Sequence, residues 1–427
     1  MAKVLKRRWV SDVAGLGIPR RDRSSCEYEA YVPDLLEERE FTFTGDVAAD
    51  VADAEIAISR LNQGARSLVD TEALARILLR SEAVASSRIE GLEVGARRLL
   101  HAEAERRTPD GTRDVTASEV LGNIDAMVYA TGAIRPGDEI SVSLLLEVHR
   151  LLLANTRLAE HGGVLRTEQN WIGGSSYNPC SAAFVPPPPE RVPDLMADLC
   201  AFCCTDDLPA VAQAAIAHAQ FETIHPFADG NGRTGRALIH LVLRRRGLAE
   251  RVLPPVSLIL ATWAKDYVGA LTDFRYIGRP SGAAAMSGLN RWAGLFAAAC
   301  TRSVADAMTF QARIEHLEHQ WRDRLGPIRS RSATDLLLRA LPGAPVITVD
   351  SAAALIGRTF NPANEAIDRL VEAGILKQVT IGRRNRAFEA PDIIRAFTAL
   401  ERQLASPSGD TRSSKPSRLV PARRRDS

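Results

Sequence analysis

Twelve residues near the middle of the chain read His225-Pro226-Phe227-Ala228-Asp229-Gly230-Asn231-Gly232-Arg233-Thr234-Gly235-Arg236. An apolar segment precedes them at residues 211–221 and another follows at residues 237–243, and both patterns predict buried helices. Glycines between two such helices let backbone N–H groups turn toward an anion, and the start of the second helix adds the positive end of its dipole. The sequence therefore predicts an anion site at this break.

The side chains of the stretch indicate that the anion is a nucleoside polyphosphate. His225 is the natural general base at neutral pH. Asp229 is a lone carboxylate beside the anion site, and Mg²⁺ is commonly held by one or two carboxylates together with substrate phosphates. The residues expected to bind phosphate, through backbone N–H groups or guanidiniums, are Gly230, Asn231, Gly232, Arg233 and Arg236.

Two further interpretations bear on this stretch. It is not a P-loop, because no Gly-Lys-Ser/Thr follows the glycines. A glycine-rich linker between two helices, with charges that serve no ligand, is an alternative that these residue types alone leave open.

Length and composition indicate a globular protein of two or three domains. The chain has 427 residues, of which 45% are hydrophobic and 25% charged. A net charge of +2 excludes a global polyanion-binding signature. No apolar run is long enough to span a membrane and the N-terminus lacks the apolar core of a signal peptide, so we expect a cytoplasmic protein without membrane contact.

The cysteines predict thiols rather than a disulfide framework, because six of them are scattered through a large chain. Cys200 and Cys203 have the spacing of a redox or metal pair. They continue an apolar helical pattern that begins near Val192, with no second pair nearby, so we expect buried structural thiols.

The C-terminal part changes character after Gly326-Pro327, which ends a long helical region. Helical patterns near residues 333–341, 348–357 and 361–376 precede a strand, a basic turn and a strand within residues 377–389. Helices followed by a two-stranded wing are typical of a winged-helix domain.

The partner of this domain is open between DNA and protein. The basic wing, with Arg383, Arg384 and Arg386, favours DNA. The supposed recognition helix is acidic instead, which favours a protein partner; its charged residues include Glu365, Asp368 and Glu372.

Two segments outside the central stretch are also unusual. Glu90-Gly91 follows a helical pattern that includes Ser86. A carboxylate is electrostatically unfavourable at a helix C-terminus, so either a cation compensates Glu90 or Glu90 is solvated. Two short β-prone pieces around Ile172 and Phe184 flank Gly173-Gly174, which predicts a β-hairpin. The edge of that hairpin could accept an extended peptide as an added strand; a plain surface hairpin is the alternative.

The twelve residues resemble the signature of the Fic family of adenylyltransferases, His-Pro-Phe-x-Asp/Glu-Gly-Asn-Gly-Arg-x-x-Arg, at every fixed position. The similarity extends to residues 221–224 and to the segment from Arg166 to Pro189, which looks like that family's flap. The segment from Ser86 to Gly91 looks like its inhibitory motif. The resemblance implies a mainly α fold with a Fic-type helical bundle core, a β-hairpin flap and a small C-terminal winged helix.

Pattern and resemblance together predict five regions. They are a flexible basic arm at 1–25, an N-terminal helical region with the inhibitory helix at 26–110, the catalytic core and its helical extension at 111–326, the winged helix at 327–400 and a disordered basic tail at 401–427.

The resemblance implies a role for each matching residue. His225 would take the proton from a Ser, Thr or Tyr hydroxyl, whose oxygen attacks the α-phosphorus of ATP and expels pyrophosphate. Asp229 would hold Mg²⁺, residues 230–232 would stabilise the α-phosphate, and both arginines would bind the outer phosphates. The flap would align the target through Ile172, Gly173, Gly174, Phe184 and Val185.

The resemblance also implies regulation and leaves alternatives. Glu90 would pair with Arg236 and hold the resting protein in an autoinhibited state. The binding partners of this protein would then be ATP and a target protein, which could be another copy of the protein itself. A homodimer is left open. The alternatives are transfer of another nucleotide, removal of AMP, and a DNA-binding regulator whose Fic core acts as a sensor.

Overall fold

The computed structural model describes residues 1–11, 19–37, 39–66, 71–108, 111–381 and 385–404. These residues are mainly helical, as the sequence predicts. The α-helices are α1 (Gly45–Arg66), α2 (Thr71–Ile89), α3 (Ala96–Arg106), α4 (Val115–Gly132), α5 (Val142–Leu153), α6 (Val192–Cys203), α7 (Ala210–Ile224), α8 (Asn231–Arg245), α9 (Val256–Thr262), α10 (Ala264–Phe274), α11 (Ala283–Leu325), α12 (Ala333–Ala340), α13 (Val349–Ile356), α14 (Phe360–Glu372) and α15 (Pro391–Leu404).

The described residues also form five β-strands. They are β1 (Lys3–Trp9), β2 (Cys26–Val32), β3 (Val346–Ile347), β4 (Lys377–Ile381) and β5 (Asn385–Glu389). Across the described ranges, no helix is both long and apolar enough to cross a membrane.

The chain divides into two compact units. The first consists of Met1–Asn62, Gly122–Glu250 and Lys265–Thr301, and the second of Gln63–Leu121, Arg251–Ala264 and Arg302–Ser427.

The core of the first unit is the pair α7 and α8. Every residue of α7 is buried, and six of its fifteen residues are alanine. Small side chains allow the two helices to approach closely. The two helices are close together at Gly235, where a Cβ would lie 2.9 Å from the Glu222 side chain and 2.9 Å from that of Phe221. The two apolar patterns that flank the central stretch are therefore confirmed as buried helices.

The N-terminal residues correct one prediction. Lys3–Trp9 form a strand that pairs antiparallel with Cys26–Val32, whereas the sequence predicted a flexible arm over residues 1–25. Opposite charges face each other across the two strands, with Lys6 opposite Glu29 and Arg8 opposite Glu27. Such cross-strand pairs stabilise a two-stranded ribbon that carries little apolar surface.

The cysteines correct a second prediction. Cys26 in β2 forms a disulfide with Cys180, which follows it by 154 positions. A single bridge of this kind leaves no spacing pattern in the sequence, so counting cysteines could not reveal it. Cys200 and Cys203 are buried thiols, as predicted. Burial raises the pKa of Cys200 to about 12, which leaves it protonated and unreactive at neutral pH.

In the second unit, α2 packs on α9 and on α15. Glu82 of α2 is fully buried and accepts hydrogen bonds from the backbone N–H and the hydroxyl of Ser257, at the start of α9. Arg80 forms a two-pronged ion pair with Glu103 of α3, at 3.0 and 2.8 Å. The helix that carries the supposed inhibitory motif is thus fixed within this unit.

The C-terminal part contains the three helices and the two strands that the sequence predicts. A further strand that was not predicted, β3, lies between α12 and α13, and the three strands form an antiparallel sheet in the order β3-β5-β4. Thr348 and Ser351 form a capping box at the start of α13, within the helical pattern predicted near residues 348–357. The turn residues Arg383 and Arg384 lie outside the described residues, as does most of the predicted tail, of which residues 401–404 end α15.

Candidate functional site

The turn between α7 and α8 carries the predicted site residues. α7 ends at Ile224, and the next residue, His225, has a left-handed backbone (φ 50°, ψ 61°). α8 begins after Gly230, which is also left-handed (φ 76°, ψ 10°). A left-handed conformation is unusual for a residue with a side chain and costs about 1–3 kcal/mol. The His225 side chain is 20% exposed, so its imidazole can still be reached from solvent.

Two side chains from the N-terminal part of the flap segment hold this turn. The Arg166 Nε donates to the His225 carbonyl at 2.8 Å, and the Asn170 amide donates to the carbonyls of His225 and Phe227 at 3.2 and 3.1 Å. The backbone N–H of Arg166 donates to the carbonyl of Pro226 at 2.9 Å. Burial lowers the pKa of Arg166 to about 10, so it remains a cation at neutral pH. These bonds stabilise the strained backbone at His225.

The Asn231 side chain stabilises the turn by two hydrogen bonds to the backbone of Phe227. Its Oδ1 accepts from the Phe227 N–H and its Nδ2 donates to the Phe227 carbonyl, both at 2.8 Å. Phe227 itself is fully buried. The Asn231 side chain is therefore engaged in holding the loop, so a contribution to phosphate binding would come from its backbone N–H.

Positive charge is concentrated at the start of α8. The side chains of Arg233 and Arg236 are almost completely buried, with residue exposures of 5% and 1%. Guanidiniums this deeply buried retain a strong local field, because water screens them little. Asp229 is 51% exposed and its carboxylate lies 3.7 Å from the Arg233 guanidinium.

Two buried groups on α7 neighbour this charge. The Glu222 carboxylate lies 3.9 Å from the His225 Nδ1, beyond hydrogen-bond distance. Burial and the neighbouring Arg236 lower the pKa of His218 to about 3, so His218 is neutral at physiological pH. The buried cationic charge beside the turn therefore comes from the arginines and not from His218.

His149 of α5 supports the loop from its other side. It is fully buried, and its ring stacks on that of Phe227 with centroids 3.7 Å apart and planes 8° apart. Its Nδ1 accepts from the Gly163 N–H at 3.0 Å, and its Nε2 lies 2.9 Å from the Asp229 carbonyl. Burial lowers the pKa of His149 to about 4, so the ring is neutral.

The flap residues form a narrow antiparallel contact. Ile172 and Phe184 exchange both backbone hydrogen bonds, at 2.8 and 3.2 Å. Gly173 and Gly174 both have positive φ, and a Cβ on Gly174 would lie 2.4 Å from the Ser181 carbonyl oxygen. The predicted hairpin is therefore present as a single bridge around a tight glycine turn rather than as two full strands.

The flap is not isolated from other strands. The Tyr31 N–H of β2 donates to the Val185 carbonyl at 2.9 Å, so β2 borders one edge of the flap. An extended peptide could then add only at the other edge of the flap, on the side of Ile172. The guanidinium of Arg275 lies 3.6 Å from the centre of the Phe184 ring and packs on this side chain.

The donor set suits a metal brought by a nucleotide better than a resident ion. In the described part of the chain, no group of three or more His, Cys, Asp or Glu side chains could hold a metal. Asp229 supplies one exposed carboxylate, which fits the single protein ligand that Mg²⁺ often takes when phosphates complete its coordination.

The supposed inhibitory residues belong to the second unit. α2 ends at Ile89, and Gly91 (φ 83°) follows Glu90, so the predicted helix end is confirmed. Glu90 is exposed, whereas Ser86 is 1% exposed. The pairing of Glu90 with Arg236, a residue of the first unit, remains a prediction.

Four residues of the site could not be found from the motif alone. Arg166, Asn170, His149 and Glu222 all contact or approach the turn, yet three of them lie 55 or more positions before His225. Arg166 and Glu222 lie in segments that resemble the Fic family, but nothing in the sequence indicates what their side chains contact.

Comparison with protein families agrees with this geometry. Residues 139–243 match the Fic/DOC family model, and residues 48–132 match the Fic/DOC family N-terminal model. The chain contains a Fic domain. The turn and both buried helices described above lie within the match, except that α8 continues for two residues beyond it.

Similar proteins extend the comparison. Protein adenylyltransferase fic-1 of Caenorhabditis elegans is 33% identical over 177 residues, which cover 38% of this chain and 32% of that protein. Protein adenylyltransferase Fic of Drosophila willistoni is 34% identical over 152 residues, 35% of this chain and 28% of that protein. The chain thus spans about a third of the length of these relatives.

A solved structure has the same fold over a longer region. A Fic family protein from Desulfovibrio desulfuricans aligns with 83% of this chain and 98% of its own, with a TM-score of 0.50 and 21% identity. This similarity confirms the Fic-type helical fold around the domain.

Proposed function

We propose that this protein transfers AMP from ATP to a hydroxyl group of a protein target. The observation that carries the proposal is the pair of buried guanidiniums, Arg233 and Arg236, at the start of α8, directly after the left-handed Gly230 and beside the reachable imidazole of His225. Buried cations, helix N-terminus and base together suit a polyphosphate that is attacked next to the base. The relatives named as adenylyltransferases support the choice of AMP.

In the proposed reaction, His225 accepts the proton of the target hydroxyl. The oxygen attacks the α-phosphorus, and the bond to the leaving pyrophosphate breaks. The backbone N–H groups of residues 230–232 stabilise the negative charge that builds on the α-phosphate oxygens. Arg233 and Arg236 bind the outer phosphates. A positioned base contributes about 10²–10⁴-fold to such a step, and fixed donors contribute further.

Mg²⁺ would neutralise phosphate charge when it is bound with the nucleotide, and Asp229 is the residue that would hold it. The flap would align the target segment by pairing along its edge on the side of Ile172, away from β2. That pairing would position the target hydroxyl with little dependence on the target's sequence, because the contact consists of main-chain hydrogen bonds.

The resting protein is proposed to be autoinhibited by Glu90. If the Glu90 carboxylate pairs with Arg236, that guanidinium no longer binds the outer phosphates, and ATP binds in a position that does not react. An ion pair that held such a state by about 3 kcal/mol would lower the active fraction roughly a hundredfold.

The transfer reaction is tested with two labels. The Glu90→Gly variant is incubated with ATP labelled either at the α-phosphate or at the γ-phosphate, alone and with a cell lysate, and modified proteins are identified by mass spectrometry. We expect protein labelling from the α-label only. Labelling from the γ-label only would indicate phosphoryl transfer instead, and no labelling of any protein from either would contradict the proposal.

Autoinhibition is tested by comparing wild type, Glu90→Gly and Glu90→Gln in the same assay. We expect both variants to transfer AMP faster than wild type, because both remove the carboxylate. Glu93→Gln is the matched control, since Glu93 is an exposed glutamate in the same loop. Equal rates for wild type and both Glu90 variants, in folded proteins, would show that Glu90 does not inhibit.

The winged-helix arrangement is proposed to bind a protein rather than DNA. The exposed face of α14 carries Glu365, Asp368 and Glu372. Arg386 is bound to α14 itself, with its guanidinium 2.8 Å from the Asn364 side chain. A gel shift of the full chain on duplex DNA, measured over a range of salt concentrations, tests this choice. Salt-dependent binding would favour the DNA-binding alternative.

A further inference from the structure

His149 is bound at both ring nitrogens, and this fixes its tautomer. Nδ1 lies 3.0 Å from the Gly163 nitrogen and accepts its N–H, so the ring proton must be on Nε2. Nε2 then donates to the Asp229 carbonyl at 2.9 Å. The stacking on Phe227 sets the plane of the ring in which this donor lies.

The hydrogen bond to Asp229 determines where the next backbone N–H points. In a trans peptide the C=O and the following N–H lie in one plane and point in opposite directions. Because the Asp229 carbonyl is directed toward α5, the Gly230 N–H is directed away from α5. That is the side on which a phosphate at the start of α8 would lie.

Without this bond the peptide between Asp229 and Gly230 is free to rotate, because glycine tolerates many backbone conformations. A rotated peptide would present the carbonyl oxygen to the phosphate, which is repulsive. The backbone of Gly230 lies against α5, since a Cβ there would be 3.0 Å from Leu152 and 3.3 Å from the His149 Nε2. The hydrogen bond from His149 of α5 therefore restrains the loop next to Gly230, where the backbone is least restricted.

We propose that His149 is a positioning residue for the AMP transfer: by holding the Asp229 carbonyl it aims the Gly230 N–H at the reacting phosphate. The inference rests on the proposed function, and it assigns to α5 a part in a site whose sequence signature lies wholly between residues 225 and 236. His149 does not touch the nucleotide itself.

Substituting His149 by Gln or by Asn separates this positioning role from a role of the ring in packing. Gln places an amide N–H near the position of Nε2 and can still donate to Asp229, whereas Asn reaches only the position of Nδ1. Both lose the aromatic stacking on Phe227. In a Glu90→Gly background, we expect His149→Asn to lower kcat by about 10²-fold, the loss typical for one misplaced backbone donor, with little change in KM for ATP.

His149→Gln is expected to recover most of that loss, although it lacks the ring. His161→Asn is the surface control, because His161 is 51% exposed. Equal kcat for the Asn and Gln variants would overturn the proposal, since their shared defect would be the lost ring. A loss that appears in KM alone would overturn it as well.

A second measurement does not depend on the reaction. Amide hydrogen–deuterium exchange of the free protein is followed over residues 228–232 in the same variants. We expect faster exchange in His149→Asn than in His149→Gln. If the Glu90→Gly parent transfers no AMP, the proposed function fails, and hydrogen exchange alone then tests whether His149 restrains the loop. Equal exchange in the two variants would show that it does not.

Discussion

The helices α2 and α7 are both followed by a left-handed residue, and the two turns are held in different ways. After α2, Gly91 (φ 83°) makes a turn that is closed by its own neighbours: Leu92 N–H donates to Ser87 C=O at 3.0 Å, and Gly91 N–H to Arg88 C=O at 2.9 Å. This pair of bonds is the Schellman arrangement. After α7, the left-handed residue is His225, and its carbonyl is bound by side chains from elsewhere in the chain.

The difference concerns where the stabilising groups come from. A glycine adopts the left-handed conformation without backbone strain. Its turn therefore needs no hydrogen bonds from distant side chains and is specified by a few adjacent residues. A histidine in the same conformation is strained by about 1–3 kcal/mol, and Arg166, Asn170 and His149 supply hydrogen bonds around it. Strain maintained by distant groups is typical of functional sites, because it fixes a reactive side chain in one position.

The largest expected effect comes from Arg166→Ala, in the Glu90→Gly background. Its guanidinium donates to the carbonyls of Ile224, His225 and Pro187, and its loss leaves buried acceptors without a donor. We expect destabilisation by about 3–5 kcal/mol and AMP transfer lower by at least about 10²-fold. Chemical denaturation and initial rates measure the two effects.

Arg166→Lys sharpens this test, because it keeps the charge but loses the planar fork. We expect an intermediate rate. A full rate in the Lys variant would mean that charge alone, and not the geometry of the donors, supports the turn. Arg157→Ala is the control at an exposed arginine.

A smaller effect is expected for Asn231→Ala. The substitution removes both 2.8 Å bonds to the Phe227 backbone, in a residue that is 3% exposed. Leaving a buried N–H and C=O unbound costs about 1–3 kcal/mol each at most, so we expect a loss of that order in the free energy of unfolding. Asn231→Asp keeps the acceptor and loses the donor, and should fall between. An unchanged midpoint of denaturation for Asn231→Ala would show that the two hydrogen bonds to Phe227 do not contribute to stability.

The smallest effect is expected at the self-contained turn. Gly91→Ala places a Cβ in a left-handed residue with nothing within 4 Å, so only backbone strain of about 1–2 kcal/mol should appear. Gly64→Ala, the same chemical change within helix α1 and again with nothing within 4 Å, should stabilise by about 0.5–1 kcal/mol. Thermal unfolding checks the signs, and a stabilising Gly91→Ala would contradict the comparison.

The same contrast explains what the sequence could predict. Local patterns predict the end of α2 just before Gly91, the helices on either side of the central stretch, and three helices and two strands after Gly326. All of these are confirmed, and only β3 was not predicted among the α-helices and β-strands from α12 to β5. The donors to the His225 carbonyl are not local, because Arg166 and Asn170 precede it by 59 and 55 positions. Side-chain contacts over that distance leave no periodicity in the sequence.

Two other features were missed for a related reason. β1 is mostly charged and carries few of the apolar residues that mark a strand, since its stability comes from the facing strand β2. The disulfide joins cysteines 154 positions apart, and only the folded chain brings them together.

The most direct test of the proposed chemistry is the initial rate of AMP transfer from α-labelled ATP by Glu90→Gly and by Glu90→Gly/His225→Ala, at saturating ATP and with folding checked by denaturation. If His225 is the base, held in place by its strained turn, the double variant should be slower by about 10²–10⁴-fold while ATP binding is retained. Equal rates in the two folded proteins would contradict that role for His225.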